Sequence, residues 1–259
     1  MFSTAVSYKL IASDLTAALK RTASQPNVER ESAYYLENIT SIKSVDDFIG
    51  NDRIFKYAMK AFGLQDMDYA KAFMRKVLAE GIDDDKSFAN SLTDTRYREF
   101  AETFNFKRYS GGATVFDRAQ QGTVDRYVRQ TLEVDAGQTN EGVRLALYFQ
   151  RKAEGVETPF SLMADRALLK VTQVALGIPE ATGSMDIDRQ AELISSKLDI
   201  EDLKEPAKLD KFLERFVALW EIENPTTSPS AGIVQLINPP SDGIGMDLLQ
   251  QIQNIRNGR

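Results

Sequence analysis

The stretch PAKLDKFLERFVALWEI, from Pro206 to Ile222, is the clearest indication of the fold class of this chain. Its apolar residues recur at intervals of three and four, which is the period of one face of an α-helix. They are Leu209, Phe212, Leu213, Phe216, Leu219 and Trp220. The stretch predicts a long amphipathic helix in which Trp220 anchors a buried core.

The same period recurs along most of the chain. Tyr8 to Leu19 predicts one amphipathic N-terminal helix, and the stripe from Phe55 to Phe62 predicts a helix that stops at Gly63. Glycine suits the left-handed conformation that often follows the end of a helix. Ser44 and the pair Thr158-Pro159 carry helix-start signals. We therefore expect an all-α fold, a multi-helix bundle.

The helical pattern extends over residues 1–223, which we take as the body of the protein. Gly111-Gly112 interrupts it near the middle, which allows a hinge between two similar lobes, 1–107 and 124–223. The stretch that begins at Asp52-Arg53 resembles the one that begins at Asp165-Arg166, with one inserted residue. Because helical sequences imitate one another easily, duplication of a helical unit and chance likeness both stay open.

The composition changes after Glu223. Residues 224–259 are rich in Pro, Ser and Gly, which predicts a flexible C-terminal tail. Met246 to Arg256 predicts a short terminal amphipathic helix within this tail. Its apolar positions Leu248, Ile252 and Ile255 are candidate partner-binding residues.

The 259 residues contain no His and no Cys. Serine–histidine and cysteine–histidine nucleophiles, thiol redox pairs and zinc sites all need imidazole or thiolate groups, so the composition excludes them. No glycine-rich phosphate loop is present, and the acidic turn from Asp83 to Asp85 lacks the ligand spacing of a calcium loop. We expect no cofactor, no metal and no catalytic set, and therefore a protein that is not an enzyme.

The formal net charge is −6, from 32 Lys and Arg against 38 Asp and Glu. A field of this sign repels phosphate backbones, so we expect no nucleic-acid partner. No stretch reaches the roughly 20 consecutive apolar residues of a membrane span, and no secretory signal pattern opens the chain. We expect a cytoplasmic protein.

Two Asp-Arg pairs, Asp52-Arg53 and Asp165-Arg166, are the recurrent charged features. Arginine presents planar, bidentate donors that could hold a carboxylate of a partner or an anionic ligand. The alternative, which we favour, places each aspartate in the first turn of a helix and the arginine stem over apolar neighbours.

Acid–base catalysis by carboxylates alone is the remaining enzymatic hypothesis. Glu133 and Glu141, which flank a turn-like segment, are its best-placed candidates. Most of the acidic residues lie on the polar faces of amphipathic helices, so no acid is marked by an apolar pocket.

Six segments of the chain form a recognisable combination: Tyr8–Leu15, Tyr34–Ile39, Ser44–Phe48, Asp52-Arg53, Ala72–Leu78 and Asn140–Phe149. Together they resemble the domain-of-unknown-function family numbered 1217. The likeness covers most of the chain up to Trp220. It implies an alphaproteobacterial protein whose gene commonly lies beside flagellar genes, and it supplies no catalytic residues.

Three functions fit these observations. We favour a non-enzymatic, flagellum-associated structural or protein-binding component that acts through helical surfaces, with self-association into a homo-oligomer left open. The alternatives are a lysozyme-like peptidoglycan hydrolase that uses carboxylates and a flagellar export chaperone.

Overall fold

A computed structural model describes residues 2–225, and over this range the fold is helical throughout, without strands. The all-α prediction is therefore confirmed. The α-helices are α1 (Thr4–Ala12), α2 (Leu15–Ala23), α3 (Pro26–Ile39), α4 (Val45–Gly50), α5 (Asp52–Ala61), α6 (Lys71–Glu80), α7 (Phe88–Ser91), α8 (Thr95–Thr103), α9 (Phe106–Tyr109), α10 (Gln121–Thr139), α11 (Glu141–Lys152), α12 (Pro159–Ala164), α13 (Arg166–Leu176), α14 (Ile187–Ser195) and α15 (Pro206–Glu223). Short 3₁₀ helices connect some of them, at Gln65–Met67, Ser110–Val115, Asp117–Ala119, Ala153–Gly155, Glu180–Ser184 and Ile200–Lys204.

The N-terminal segment contradicts the prediction of one helix from Tyr8 to Leu19. The structure has two helices, α1 and α2, with a break at Ser13 and Asp14. The Asp14 carboxylate accepts a hydrogen bond from the backbone N–H of Ala17 at 2.9 Å and so starts a new helix. The apolar period runs through this break, which is why the pattern alone concealed it.

Other predicted helix boundaries are confirmed. The Ser44 hydroxyl accepts a hydrogen bond from the N–H of Asp47 at 3.0 Å, and Thr158 caps α12 ahead of Pro159. Gly63 has a φ of +69°, the left-handed conformation expected beyond the end of α5. Local side-chain chemistry thus sets these boundaries.

A first apolar cluster lies among α3 to α10. Phenylalanines dominate it, and Phe48 lies at its centre in ring contact with four others. Tyr35, Tyr57 and Tyr127 stack beside it, with ring centroids 4.5 Å and 3.9 Å apart in succession. The segment with Gly111-Gly112, predicted as a hinge, forms a 3₁₀ helix that packs against α9.

A second apolar cluster is formed by α1 and the helices from α11 to α15. Trp220 is buried there, as predicted. Gly142 of α11 lies directly against its indole ring. The helix α10 contacts α5, α2 and α11 and so passes between the two clusters. The lobe limits 1–107 and 124–223 stay a prediction, and Tyr8 of α1 belongs to the second cluster although it is distant in sequence.

Candidate functional site

A cleft of about 560 Å³ opens beside α10 and α11, and we call it the charged cleft. Its lining carries charges of both signs, with four cationic and three acidic side chains. The lining residues are Glu99, Asp125, Arg126, Arg129, Arg151, Lys152, Glu154 and Gly155. Acid–base chemistry needs a carboxylate that is free to exchange a proton with a substrate. The hydrogen-bond partners of each carboxylate therefore decide what the cleft can do.

Glu133 lies buried behind this lining, with 1% of its surface exposed. Arg129, one turn earlier on α10, donates to Glu133 Oε1 at 2.9 Å. Arg151 of α11 donates to both carboxylate oxygens at 2.8 Å. The i, i+4 spacing on one helix and the packing of α11 on α10 together place two guanidiniums on one carboxylate.

A further hydrogen bond and a cation–π contact hold the two arginines. Arg129 Nη2 donates to the backbone carbonyl of Leu147 at 2.7 Å, and the Arg151 guanidinium lies 5.0 Å from the centre of the Tyr148 ring. Desolvation by burial lowers the pKa of Arg151, but the hydrogen bonds and charge of Glu133 outweigh it, and the pKa is raised. Arg151 is therefore a permanent positive charge in this cluster.

The rim of the charged cleft is also paired. Glu99 accepts from Lys152 at 2.5 Å and from Arg126 at 3.4 Å. These contacts balance the cations against nearby carboxylates. A site that binds an anion needs cations that lack counter-charges. Because the cations here are paired with carboxylates, they stabilise the packing of the helices and are not available to an anionic ligand.

The carboxylates predicted for catalysis lie in different networks. Glu133 is surrounded by arginines, whereas lysozyme-type acid catalysis uses a carboxyl in an apolar pocket. Glu141 lies at the start of α11 and pairs with Arg144 at 2.8 Å on the protein surface. Their surroundings do not resemble those of an acid–base pair.

The first Asp-Arg pair has its partners within the chain. Asp52 is the first residue of α5 and forms an ion pair with Lys71. Arg53 makes a bidentate contact with Glu31, at 2.8 and 3.1 Å, and its guanidinium lies 3.6 Å from the centre of the Tyr34 ring. This fork holds α5 against α3.

The second pair is arranged differently. Asp165 is itself the N-cap of α13 and accepts from the N–H groups of Ala167 and Leu168, at 2.8 and 3.1 Å. The Tyr148 hydroxyl donates to the other carboxylate oxygen at 2.6 Å. Arg166 lies on the exposed surface. Partner binding by either pair stays a prediction. Leu248, Ile252 and Ile255 lie outside the described residues.

Val115, Phe116 and Arg118 are exposed, and together with the half-buried Tyr109 they form what we call the aromatic–arginine patch. The Tyr109 and Phe116 rings meet edge to face at 4.8 Å. The Arg118 guanidinium lies 4.9 Å from the Phe116 ring centre and 5.2 Å from that of Tyr109. Phe116 keeps 41% of its surface exposed although it is a large apolar residue.

Local backbone geometry builds this patch. Ser110, which follows the last residue of α9 and begins the 3₁₀ helix Ser110–Val115, has a φ of +48°, a conformation rare for residues other than glycine. Hydrogen bonds from Arg108 and Arg118 lower the pKa of the Tyr109 hydroxyl. The patch is not among the features predicted from the sequence, because the adjacent Gly111-Gly112 indicated a hinge. The useful signal was the closeness of aromatic residues and arginines on both sides of them.

A second exposed apolar surface lies at the N-terminus. Phe2, Val6 and Leu10 are 69%, 52% and 64% exposed, and we call them the α1 stripe. The opposite side of α1 is buried through Thr4 and Tyr8. The backbone N–H of Thr4 donates to Glu221 at 2.6 Å, and this bond joins the start of α1 to the end of α15.

Within residues 2–225, no group of three or more acidic side chains is arranged to hold a metal ion. None of the helices described over this range combines the length and the apolar character needed to cross a lipid bilayer.

Two of three comparisons with known proteins found matches. The model of a family described as "Protein of unknown function (DUF1217)" matches residues 61–209. An X-ray crystal structure of a protein from Agrobacterium tumefaciens is 46% identical, with a TM-score of 0.80, and the match covers 86% of this chain and 94% of that one. The comparison with curated proteins gave no match.

Proposed function

This chain belongs to the DUF1217 family, and from that premise we propose that it is a non-enzymatic, flagellum-associated component that binds protein partners through helical surfaces. The flagellar setting rests on the resemblance, since genes of this family commonly lie beside flagellar genes. The binding function rests on the surface chemistry of the chain. The expected place of action is the cytoplasm and the flagellum assembled from it.

The aromatic–arginine patch is the observation that carries the proposal. Tyrosine and arginine are enriched among the residues that dominate binding energy at protein interfaces, and phenylalanine is enriched in interfaces generally. Here Tyr109, Phe116 and Arg118 contact one another, with Phe116 and Arg118 exposed and Tyr109 anchored against the first apolar cluster. Such a preorganised cluster loses little conformational entropy when a partner covers it.

The charged cleft supports the non-enzymatic half of the proposal. Both oxygens of Glu133 accept hydrogen bonds from guanidiniums, so this carboxylate stabilises the packing of α10 and α11. A hydrolase needs a free acid that faces its substrate. The buried carboxylate behind the lining of the cleft therefore has a structural role in this proposal.

Binding to flagellar rod and export proteins from the same organism tests the proposal. We expect the purified full chain to capture one of them, and Phe116→Ala to weaken this binding by roughly 30-fold, the effect of a loss of about 2 kcal/mol at an interface hot spot. Phe160→Ala is the matched control, because Phe160 is 45% exposed on α12 and lies outside the patch.

Two outcomes would overturn it. One is the absence of captured flagellar proteins together with normal motility after deletion of the gene. The other is digestion of cell-wall material by the wild-type chain on a zymogram that a single Glu→Gln substitution abolishes.

A further inference from the structure

Arg118 of the aromatic–arginine patch differs from the other arginines that lie over aromatic rings. Within residues 2–225 the arginines with such ring contacts are Arg53, Arg108, Arg118, Arg126 and Arg151. All of these except Arg118 also form an ion pair with a carboxylate of the chain. Arg118 forms no ion pair with any described residue, and this includes its neighbour Asp117. Its charge therefore lacks a counter-charge in the described part of the chain.

The ring contacts hold the Arg118 guanidinium in place and leave it donors for a ligand. The guanidinium lies over the rings of Phe116 and Tyr109, and it donates a hydrogen bond to the Tyr109 hydroxyl. A guanidinium carries several N–H donors in a planar fork, so donors remain that match both oxygens of one carboxylate. Because the side chain is already held, it loses little conformational entropy when it binds.

The surroundings of the patch add positive charge. Lys43 packs against the 3₁₀ helix of the patch, since its Cδ lies 3.1 Å from the place that a Cβ of Gly111 would occupy. Lys43 is exposed and has no ion-pair partner among the described residues. The lowered pKa of Tyr109 reports the same local positive potential. An acidic segment is therefore attracted to this surface, although the net charge of the chain is −6.

The apolar side chains of the patch set a second requirement for its partner. Val115 and Phe116 keep 57% and 41% of their surfaces exposed beside Arg118. A side chain that covers them must be apolar and must lie next to the carboxylate that Arg118 binds. The charged cleft does not offer this combination, because each of the cations in its lining is paired with a carboxylate.

We infer that the aromatic–arginine patch binds an acidic segment of a protein partner. A carboxylate of this segment meets the Arg118 fork, and a neighbouring apolar side chain covers Val115 and Phe116. The inference rests on the proposed function, because it names the kind of partner that the same surface takes. It requires the charge of Arg118, as well as the apolar area of Phe116, to contribute to the affinity.

Two synthetic peptides test the acidic requirement on the full chain. One is built from repeats of Glu-Leu-Ser-Gly, and the other has Gln in place of every Glu and therefore the same apolar content. Both carry the same fluorescent label, and fluorescence anisotropy measures their affinities. We expect the Glu peptide to bind roughly tenfold more tightly, the effect of a hydrogen bond between charged groups. This advantage should shrink as the salt concentration rises.

Arg118→Gln should remove the preference for the Glu peptide, whereas Phe116→Ala should weaken the binding of both peptides. Arg189→Gln is the matched control, because it removes the same charge from an exposed arginine of α14 that lies outside the patch. It should keep the preference of the wild-type chain. All three side chains are exposed, so circular dichroism should show unchanged helix content in each variant.

Failure of the Glu peptide to bind, equal binding of the two peptides, or a preference that survives Arg118→Gln would overturn the inference. Oligothymidylate that binds as tightly as the Glu peptide would also overturn it, since the patch would then take any polyanion. The proposed function fails by a different result, the absence of flagellar proteins bound to the wild-type chain. If flagellar proteins bind and Phe116→Ala weakens them but Arg118→Gln does not, only the acidic nature of the partner is wrong.

Discussion

Glu133 is the most deeply buried charged residue in the described part of the chain. Replacing it with glutamine leaves the guanidiniums of Arg129 and Arg151 without their shared counter-charge. Because breaking a buried ion pair on one side is costly, we expect Glu133→Gln to lower the free energy of unfolding by about 3 kcal/mol. Urea denaturation followed by circular dichroism measures this change.

Glu141→Gln is the control for this prediction. Glu141 pairs with Arg144 on the surface, and exposed ion pairs contribute less than about 1 kcal/mol. Equal losses in the free energy of unfolding would contradict the prediction, because the buried ion pairs of Glu133 would then contribute no more than an exposed pair.

Gly142 is required for a different reason, the close approach of α11 to α15. An added Cβ would overlap the Trp220 ring and lie 2.6 Å from its Nε1. Overpacking of this kind typically costs about 1–3 kcal/mol, so Gly142→Ala should destabilise the fold by that amount. Trp220 is the one tryptophan of the chain, so its fluorescence emission should also shift.

Gly50→Ala is the matched substitution, because nothing lies within 4 Å of a Cβ added there. Its stability should change by less than about 1 kcal/mol, with unaltered emission. An unshifted emission spectrum together with unchanged stability in Gly142→Ala would contradict the prediction, because the added methyl group would then fit without disturbing the indole ring.

Among the elements, α13 and α5 begin with similar sequences but depend on their aspartates to different extents. Asp165 caps α13 and accepts the Tyr148 hydroxyl, so Asp165→Ala removes a helix cap and a hydrogen bond together. We expect a loss of about 2 kcal/mol in the free energy of unfolding. Thermal denaturation gives the measurement.

Asp52→Ala should have a much smaller effect. Asn51, not Asp52, caps α5, and the ion pair between Asp52 and Lys71 lies on the surface. An equal loss in the free energy of unfolding for both alanine variants would contradict this prediction. The cap and the hydrogen bond of Asp165 would then contribute no more than the surface ion pair of Asp52.

For the whole molecule, the buried tyrosines predict how stability depends on pH. Burial raises the pKa values of Tyr8, Tyr35, Tyr57, Tyr127 and Tyr148. Above about pH 10 these hydroxyls lose protons in the unfolded chain while the folded chain keeps them, so the unfolded state is favoured as pH rises. Stability should be nearly flat between roughly pH 5 and 9, since no histidine titrates there.

Circular dichroism and tyrosinate absorbance, recorded together, check this prediction. Loss of helix should accompany the main rise in tyrosinate. Tyr109→Phe should remove only an earlier ionisation, because Arg108 and Arg118 lower the pKa of this tyrosine. Ionisation of all the tyrosines while the helices remain intact would refute the argument.

At acid pH the loss of stability has a different cause, the protonation of surface carboxylates that form ion pairs in the folded chain. The Arg53 guanidinium lowers the pKa of Glu31, and the Lys71 ammonium lowers that of Asp52. Their contributions are complete above the ordinary carboxylate pKa of about 4 and disappear as pH falls through the lowered values. Each of these ion pairs joins two neighbouring helices, α3 with α5 and α5 with α6.

Residue order alone was enough to predict the helical class, the helix starts at Ser44 and Thr158-Pro159, and the burial of Trp220. These features follow from the 3.6-residue period and from capping by side chains a few residues away, so they are written in short windows. The same windows failed at Asp14, where an unbroken apolar period hid a cap and merged α1 with α2.

The features of the candidate sites arise from contacts between distant segments. Arg151 reaches Glu133 because α11 packs on α10, and Thr4 meets Glu221 across 217 positions of sequence. Composition indicated which groups were absent, but it could not show which carboxylates were already paired. Ion pairing, the exposure of Phe116 and the uncovered α1 stripe depend on how helices lie against one another, because the burial of a side chain is a property of its neighbours in space and not of its neighbours along the chain.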